Sequence, residues 1–170
     1  MTWWIWLRTL VFASIFVATA LIYVPRWITG PGRQVAGEPA RAGGVVLIVL
    51  GAALMIWCWT EFVLRGRGTP APYDPPRRLV VVGPYRYVRN PMYIAAILVV
   101  LGQAALFSSL PLVGYAAVFA AASFAFVIGY EEQTLARRFG ADYAAYRAAV
   151  RRWLPRLRPY NPGAMGSPTP

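Results

Sequence analysis

The sequence predicts an all-α, polytopic membrane protein with about four transmembrane helices and an amphipathic, cytoplasmic C-terminal helix. Three observations carry that expectation. Only 14% of the 170 residues are charged while 58% are hydrophobic, and soluble domains carry roughly 25% charge. The apolar residues gather into runs near the ~20 residues that a tilted helix needs to cross a bilayer. All 17 basic residues are arginine, and they lie between and after those runs, where anchors facing anionic lipid are found.

The first run spans about Trp3–Val24. Its three tryptophans within seven residues suit an interfacial belt. Arg8, the apolar stretch and Ala18-Thr19-Ala20 also fit a cleaved signal peptide. The second run covers about Gly43–Leu64, the third about Met92–Phe107 and the fourth about Leu110–Tyr130. In lipid each backbone must satisfy itself, so these runs are expected to be α-helices. Pro91 stands at the start of the third, where a missing N–H costs little. Only Ser108-Ser109 separates the third from the fourth, which forces an antiparallel hairpin. Pro111 then fits the first turn of the fourth helix.

Orientation follows from arginine. The loop 65–90 holds Arg65, Arg67, Arg77, Arg78, Arg86 and Arg89 against Asp74 alone, and the tail holds Arg137, Arg138, Arg147, Arg151, Arg152, Arg156 and Arg158. Both are expected on the cytoplasmic side of a bacterial inner membrane. Arg26, Arg33 and Arg41 in the first connection run against the rule. Gly66, Gly68, Pro70, Pro72, Pro75 and Pro76 break the long loop, and Leu79–Val82 is a short β-prone patch. Past the fourth run, Leu135, Phe139, Tyr143, Tyr146, Val150 and Trp153 recur at helical spacing. They predict a helix lying on, or folding back against, the membrane domain until Pro155. Residues 1–160 are expected to form one domain and 161–170 a disordered tail.

Composition also excludes chemistry. With no histidine, a His-containing zinc site, a Ser-His-Asp triad and a histidine base are all absent. A single cysteine, Cys58, cannot close an intrachain disulfide. The net charge of +11 is assigned to membrane anchoring, not to nucleic acid.

The segment Gly83-Pro84-Tyr85-Arg86-Tyr87-Val88-Arg89-Asn90-Pro91-Met92-Tyr93 concentrates polar groups at the mouth of an apolar helix. Arginine binds carboxylate or phosphate through a planar fork, and Tyr93 shares a helical face with Asn90. The plainer reading is topogenic arginines, a Gly-Pro turn and interfacial tyrosines. Glu131-Glu132 closes the hairpin's far end, so the two clusters are expected at the same membrane face. Adjacent acids on a helix point about 100° apart and need not share a role. Alternatively they are a solvated pair bonded to Arg137 or Arg138. Glu61 and Arg65 are spaced as an i, i+4 ion pair, and Gln103 reads as interhelical glue.

Taken together, the loop motif, the apolar hairpin, Glu131-Glu132, then Leu135, Phe139-Gly140, Tyr143, Tyr146 and Pro155 resemble the isoprenylcysteine carboxyl methyltransferase and phospholipid methyltransferase superfamily. The resemblance covers Gly83 to Pro155. It implies an integral membrane enzyme that uses S-adenosylmethionine and draws a lipophilic acceptor, a prenylcysteine-like carboxylate or a lipid head group, from the bilayer. Carried over by position, Tyr85, Arg89, Asn90, Pro91, Tyr93, Glu131 and Glu132 would bind the cofactor, and Arg86 and Glu132 would serve catalysis. Many members have histidine where this chain has Asn90, which cannot carry a proton near neutral pH. Many also have glycine at the position of Ala95. Two other readings remain: a non-catalytic membrane assembly or regulatory protein, and an NADPH-dependent enzyme resembling sterol reductases.

Overall fold

The computed structural model describes residues 17–32, 34–66 and 79–161, with Trp3, Leu7, Val11, Ser14 and Ile15 as isolated further positions. Most of the first expected span, its reading as a signal peptide, residues 67–78 of the long loop and the tail from 162 lie outside the described residues. A π-helical stretch, Val17–Tyr23, runs into a short helix α1, Val24–Thr29. Helix α2 spans Glu38–Glu61 and ends in a π-helical turn, Phe62–Gly66. A 3₁₀ turn, Gly83–Arg86, leads into α3, Pro91–Leu106. Helix α4, Leu110–Phe126, continues through a π-helical turn, Val127–Glu131, into α5, Glu132–Ala149. The described residues contain no strand.

Helix α2 and the continuous helix Leu110–Ala149 are each long and apolar enough to cross a membrane. The 16 residues of α3 are apolar but rise only about 24 Å, short of a ~30 Å hydrocarbon core. Helix α2 begins about five residues before its apolar run. Pro39 lies in its first turn and Glu38 sits at the positive end of its dipole. Glu38 also pairs with Arg41, which offsets one of the arginines that oppose the charge rule in the first connection.

The hairpin link is as tight as expected. Ser108 takes a left-handed conformation, φ 46°, and the Ser109 hydroxyl accepts from the Leu112 N–H at 3.4 Å, capping α4. Beyond α4, Leu135, Phe139, Tyr143 and Tyr146 do line one packed surface, but the helix stops at Ala149 and Val150 is extended. Pro155 explains the early stop, because its ring would strike the carbonyl four residues back, at Arg151. Val150 and Trp153 therefore belong to a non-helical strap, residues 150–160. Gly140, with φ 48° and ψ −121°, kinks α5; the left-handed φ favours glycine there.

Helices α2 and α3 pack closely enough to bring backbone onto backbone. A Cβ on Gly44 would lie 2.6 Å from the Gly102 carbonyl oxygen, and one on Gly51 would lie 2.7 Å from the Ala95 carbonyl oxygen. Ala95 is fully buried in the cluster of Leu21, Met55, Ala96, Val99, Val100 and Ala116. Small residues are what such crossings need within lipid. Across the same layer Gln103 donates to the Leu21 carbonyl at 2.9 Å and Tyr115 to the Ala20 carbonyl at 2.9 Å. Gln103 is thus interhelical glue, fastening α3 to the first π-helical stretch. The other faces are apolar and exposed, among them Val45, Val49, Ile56, Val118 and Phe124.

Residues Leu79–Val82 make no ladder. They alternate instead: Val80 and Val82 pack with Cys58 and Tyr85, while Leu79 and Val81 pack with Tyr143, Tyr146 and Tyr160. The period-2 pattern of the sequence is spent on joining two clusters.

Gly43 and Gly44 provide a contrast within one helix turn. A Cβ at Gly43 meets nothing within 4 Å. Gly44→Ala is expected to destabilise the protein by about 1–3 kcal/mol through overpacking. Gly43→Ala should be neutral or stabilising by up to ~1 kcal/mol. Thermal unfolding of the two variants in one detergent checks this.

Candidate functional site

The elbow 83–90 is held in place from three sides. On the α2 side, Gly83 sits at φ +53°, and a Cβ there would lie 2.9 Å from both Glu61 Oε1 and Trp57 Nε1. Those two groups bond each other at 3.2 Å, and Arg65 pairs with Glu61 at 3.1 Å. The expected Glu61–Arg65 pair thus forms, and its carboxylate abuts the turn. Trp59 Nε1 reaches Met92 Sδ at 3.2 Å. Tyr85 is buried with its hydroxyl against Cys58, and burial pushes its phenol well above the usual value. Helix α5 supplies the second side: the Tyr146 hydroxyl donates to the Tyr85 carbonyl at 2.7 Å.

The strap is the third side. The Arg89 N–H donates to the Arg151 carbonyl, the Arg156 N–H to the Tyr87 carbonyl and the Tyr160 N–H to the Arg86 carbonyl, all within 3.0 Å. Arg86 Nε donates to the Tyr160 carbonyl at 2.6 Å. Asn90 caps no helix N–H. Its Nδ2 donates to the Arg152 carbonyl at 3.1 Å instead.

Glu132 is where these parts meet. Arg152 binds it through both branches of its fork, Nε to Oε1 at 2.7 Å and Nη2 to Oε2 at 2.9 Å. Arg89 Nη1 lies 3.0 Å from Oε1, and Arg147 Nε lies 4.0 Å from Oε2. Glu132 lies past the apolar run that ends at Tyr130. Burial alone would raise its pKa, but the Arg152 hydrogen bonds and the charges of Arg89, Arg152 and Arg147 hold it below the usual carboxylate range. Arg137 and Arg138, the partners expected of a solvated pair, are not among these. Five and six residues on, they lie on other faces of the helix.

Glu131 faces elsewhere. The Tyr93 hydroxyl donates to its Oε2 at 3.0 Å, and among the described residues no arginine pairs with it. Tyr93 meets Trp153 edge to face at 6.2 Å, Trp153 stacks on Phe124 at 6.1 Å, and the Arg152 guanidinium lies over Phe124 at 5.8 Å. Among the described residues three buried donors lack a hydrogen-bond partner, the Tyr85 hydroxyl, Arg89 Nε and Trp153 Nε1; the Arg89 side chain is only 9% exposed. Beside the clamp, an open depression of about 340 Å³ runs along α5, bordered by Ala136, Gly140, Tyr143 and Arg147.

The structure therefore gathers Tyr85, Arg86, Arg89, Asn90, Tyr93, Glu131 and Glu132 at one end of the hairpin. Pro91, fully buried, starts α3 and offers no polar group. Sequence reasoning missed Arg152, Trp153 and Tyr160. Arg152 looked like one topogenic arginine among seven in the tail. The usable signal was Pro155, which forbids a helix through this stretch.

An all-helical fold with membrane-length apolar helices, in which an arginine-bearing elbow closes on an acidic pair, defines a class of membrane protein with a polar site at a helical hairpin's mouth. The family model for phospholipid methyltransferases matches residues 39–142. That is more than half of the chain, and the chain belongs to this family. No curated protein and no solved structure matches it. The family implies methyl transfer to lipid-like substrates and a place in the membrane. The match takes in the elbow and both acids but stops before the strap.

Glu132→Gln should cost about 3–5 kcal/mol at neutral pH, because it leaves buried guanidinium charge uncompensated. The wild-type carboxylate has a depressed pKa, so its contribution is full above the ordinary value of 4.5 and fades as pH falls through the lower folded value. Melting temperatures of wild type and Glu132→Gln should therefore converge on acidification below that point. A gap that persists unchanged would contradict the clamp.

Proposed function

We propose that the protein transfers a methyl group from S-adenosylmethionine to a lipophilic acceptor, a prenylcysteine-like carboxylate or a lipid head group. The transfer takes place at the cytoplasmic face, with loop 65–90 and the C-terminus on that side. In this reading α3 and the first run complete four spans, the bilayer thinning locally to match the short α3, and α5 stays at the interface. One observation carries the proposal: two sequence-distant polar clusters meet at 3.0 Å, Arg89 to Glu132, and leave unpartnered buried donors beside them.

The residues present fit the cofactor. Arg89 Nε and Trp153 Nε1 are donors suited to a carboxylate, since buried donors are ordinarily paired. Glu131, free of arginine, suits a cationic or hydroxyl group, and Tyr93 fixes its orientation. Tyr85 and Asn90, bonded to Tyr146 and to the strap, hold the elbow that carries Arg89, and Pro91 turns it into α3. When bound, S-adenosylmethionine supplies an electrophilic methyl on a sulfonium. The chain's own task is then positioning and electrostatics, without a covalent intermediate. Glu132, saturated by arginines, sets where Arg89 and the strap stand. Arg86, bonded to Tyr160, holds the strap's far end. Neither is placed to carry a proton, and Asn90 has none to give. A carboxylate acceptor needs no base, and an ammonium must lose its proton to water or to Glu131.

Calorimetric titration with S-adenosylmethionine in detergent or nanodiscs should show saturable binding. Arg89→Ala should weaken it at least about tenfold, the usual scale for losing a charged hydrogen bond. Glu131→Gln should weaken it too, while its melting temperature stays near wild type because no ion pair is broken. A labelled-methyl assay on co-purified lipids then identifies the acceptor. Absence of saturable binding across several lipids would overturn the proposal.

A further inference from the structure

The strap has a second face that the site does not use. Leu157 is fully exposed and Leu154 is 63% exposed, beside the exposed arginines Arg151 and Arg158. No acid lies anywhere in residues 150–161. Two apolar side chains held out among arginines are costly in water and suited to a bilayer's boundary, where leucine enters the acyl region and arginine meets phosphate.

The strap's depth is fixed by its contacts. Arg152 is tied to Glu132, two residues past the end of the apolar run at Tyr130. Trp153 stacks on Phe124, which lies inside that run and is itself 47% exposed on the helix's outer surface. The strap therefore leans on the lipid-facing side of the membrane helix, level with its last turns. Leu154 and Leu157 follow within one and four residues.

We propose that residues 150–160 form an interfacial anchor. Leu154 and Leu157 insert at the acyl–headgroup boundary, and Arg151 and Arg158 bind anionic phospholipid. The same segment carries Arg152 to Glu132 and Tyr160 to Arg86, so lipid contact and closure of the site are properties of one strap. The inference rests on α4 lying in a bilayer and is independent of methyl transfer.

The test places an environment-sensitive fluorophore on Leu157→Cys, and separately on Leu154→Cys, with the buried Cys58 as the wild-type labelling background. The proteins are reconstituted in phosphatidylcholine nanodiscs with or without phosphatidylglycerol. Lipids brominated on the acyl chain should quench both labels, and should quench a label at Asp142→Cys on exposed α5 far less. Phosphatidylglycerol should raise the docked-to-free ratio, and Arg151→Gln or Arg158→Gln should each lower it about fivefold, the scale of one arginine near an anionic surface. Labels at 154 and 157 that are quenched no more than the one at 142 overturn the anchor. Quenching indifferent to phosphatidylglycerol overturns the assignment of anionic lipid.

Discussion

A buried carboxylate surrounded by arginines is the constraint on which the site is built. Taking Glu132 out of water costs several kcal/mol, and its three cationic neighbours come from three parts of the chain. Arg89 belongs to the elbow before α3, Arg147 to α5 and Arg152 to the strap. Only with all three segments in register is the charge compensated. The demand falls on arginine in particular, because the Arg152 fork takes both carboxylate oxygens at once and lysine offers no such geometry. A chain without lysine is well supplied for this.

The clamp needs a rigid seat, and the α2–α3 crossing provides it. Gly44 against Gly102 and Gly51 against Ala95 bring the two helices to backbone contact, and this fixes where α3 begins. Glu61 and Trp57 at the end of α2 then crowd Gly83, whose φ of +53° already favours glycine. The elbow's own turn bonds, Tyr85 N–H to the Val82 carbonyl and Tyr87 N–H to the Pro84 carbonyl, shape it, and the helix pair beneath, α5 and the strap fix where it stands. Ala95 in place of a glycine fits the same account: its methyl is accommodated in the α2–α3 core, while the Gly51 position across from it stays bare.

Much of this was legible in the sequence. Hydropathy located α2, α3 and α4 because lipid obliges helices. Ser108-Ser109 fixed the hairpin because nothing longer was available, and once the hairpin was fixed the meeting of elbow and acids followed. The strap was not legible in the same way. Val150 and Trp153 continue the spacing of a helix, and a periodic pattern cannot show that the residues around them, Arg151, Arg152, Arg156 and Tyr160, are bonded to a loop some sixty residues earlier. Pro155 held that information only for a reader who carried its ring back to the carbonyl of Arg151. The separate fates of Glu131 and Glu132 were half visible. Their 100° divergence is simple geometry, but which one would meet arginine depended on the π-helical turn Val127–Glu131, which rotates all that follows relative to a regular helix.

That rotation divides the labour within the acidic pair. Glu132 is turned into the arginine cluster and is electrostatically spent, because little cationic attraction remains to a carboxylate already bonded through both oxygens. Glu131 is turned toward Tyr93 and, among the described residues, has no arginine partner. On the proposed reading, a cationic guest drawn to this site meets Glu131. An anionic group on the same guest would meet the spare Nε of Arg89, whose Nη1 is already committed to Glu132. The clamp thus does more than hold the fold closed. By consuming one acid and one edge of Arg89, it leaves, among the described residues of the site, one carboxylate without an arginine partner and one unbonded Arg89 Nε–H, and so gives the site a polarity that a symmetric acidic pair would lack.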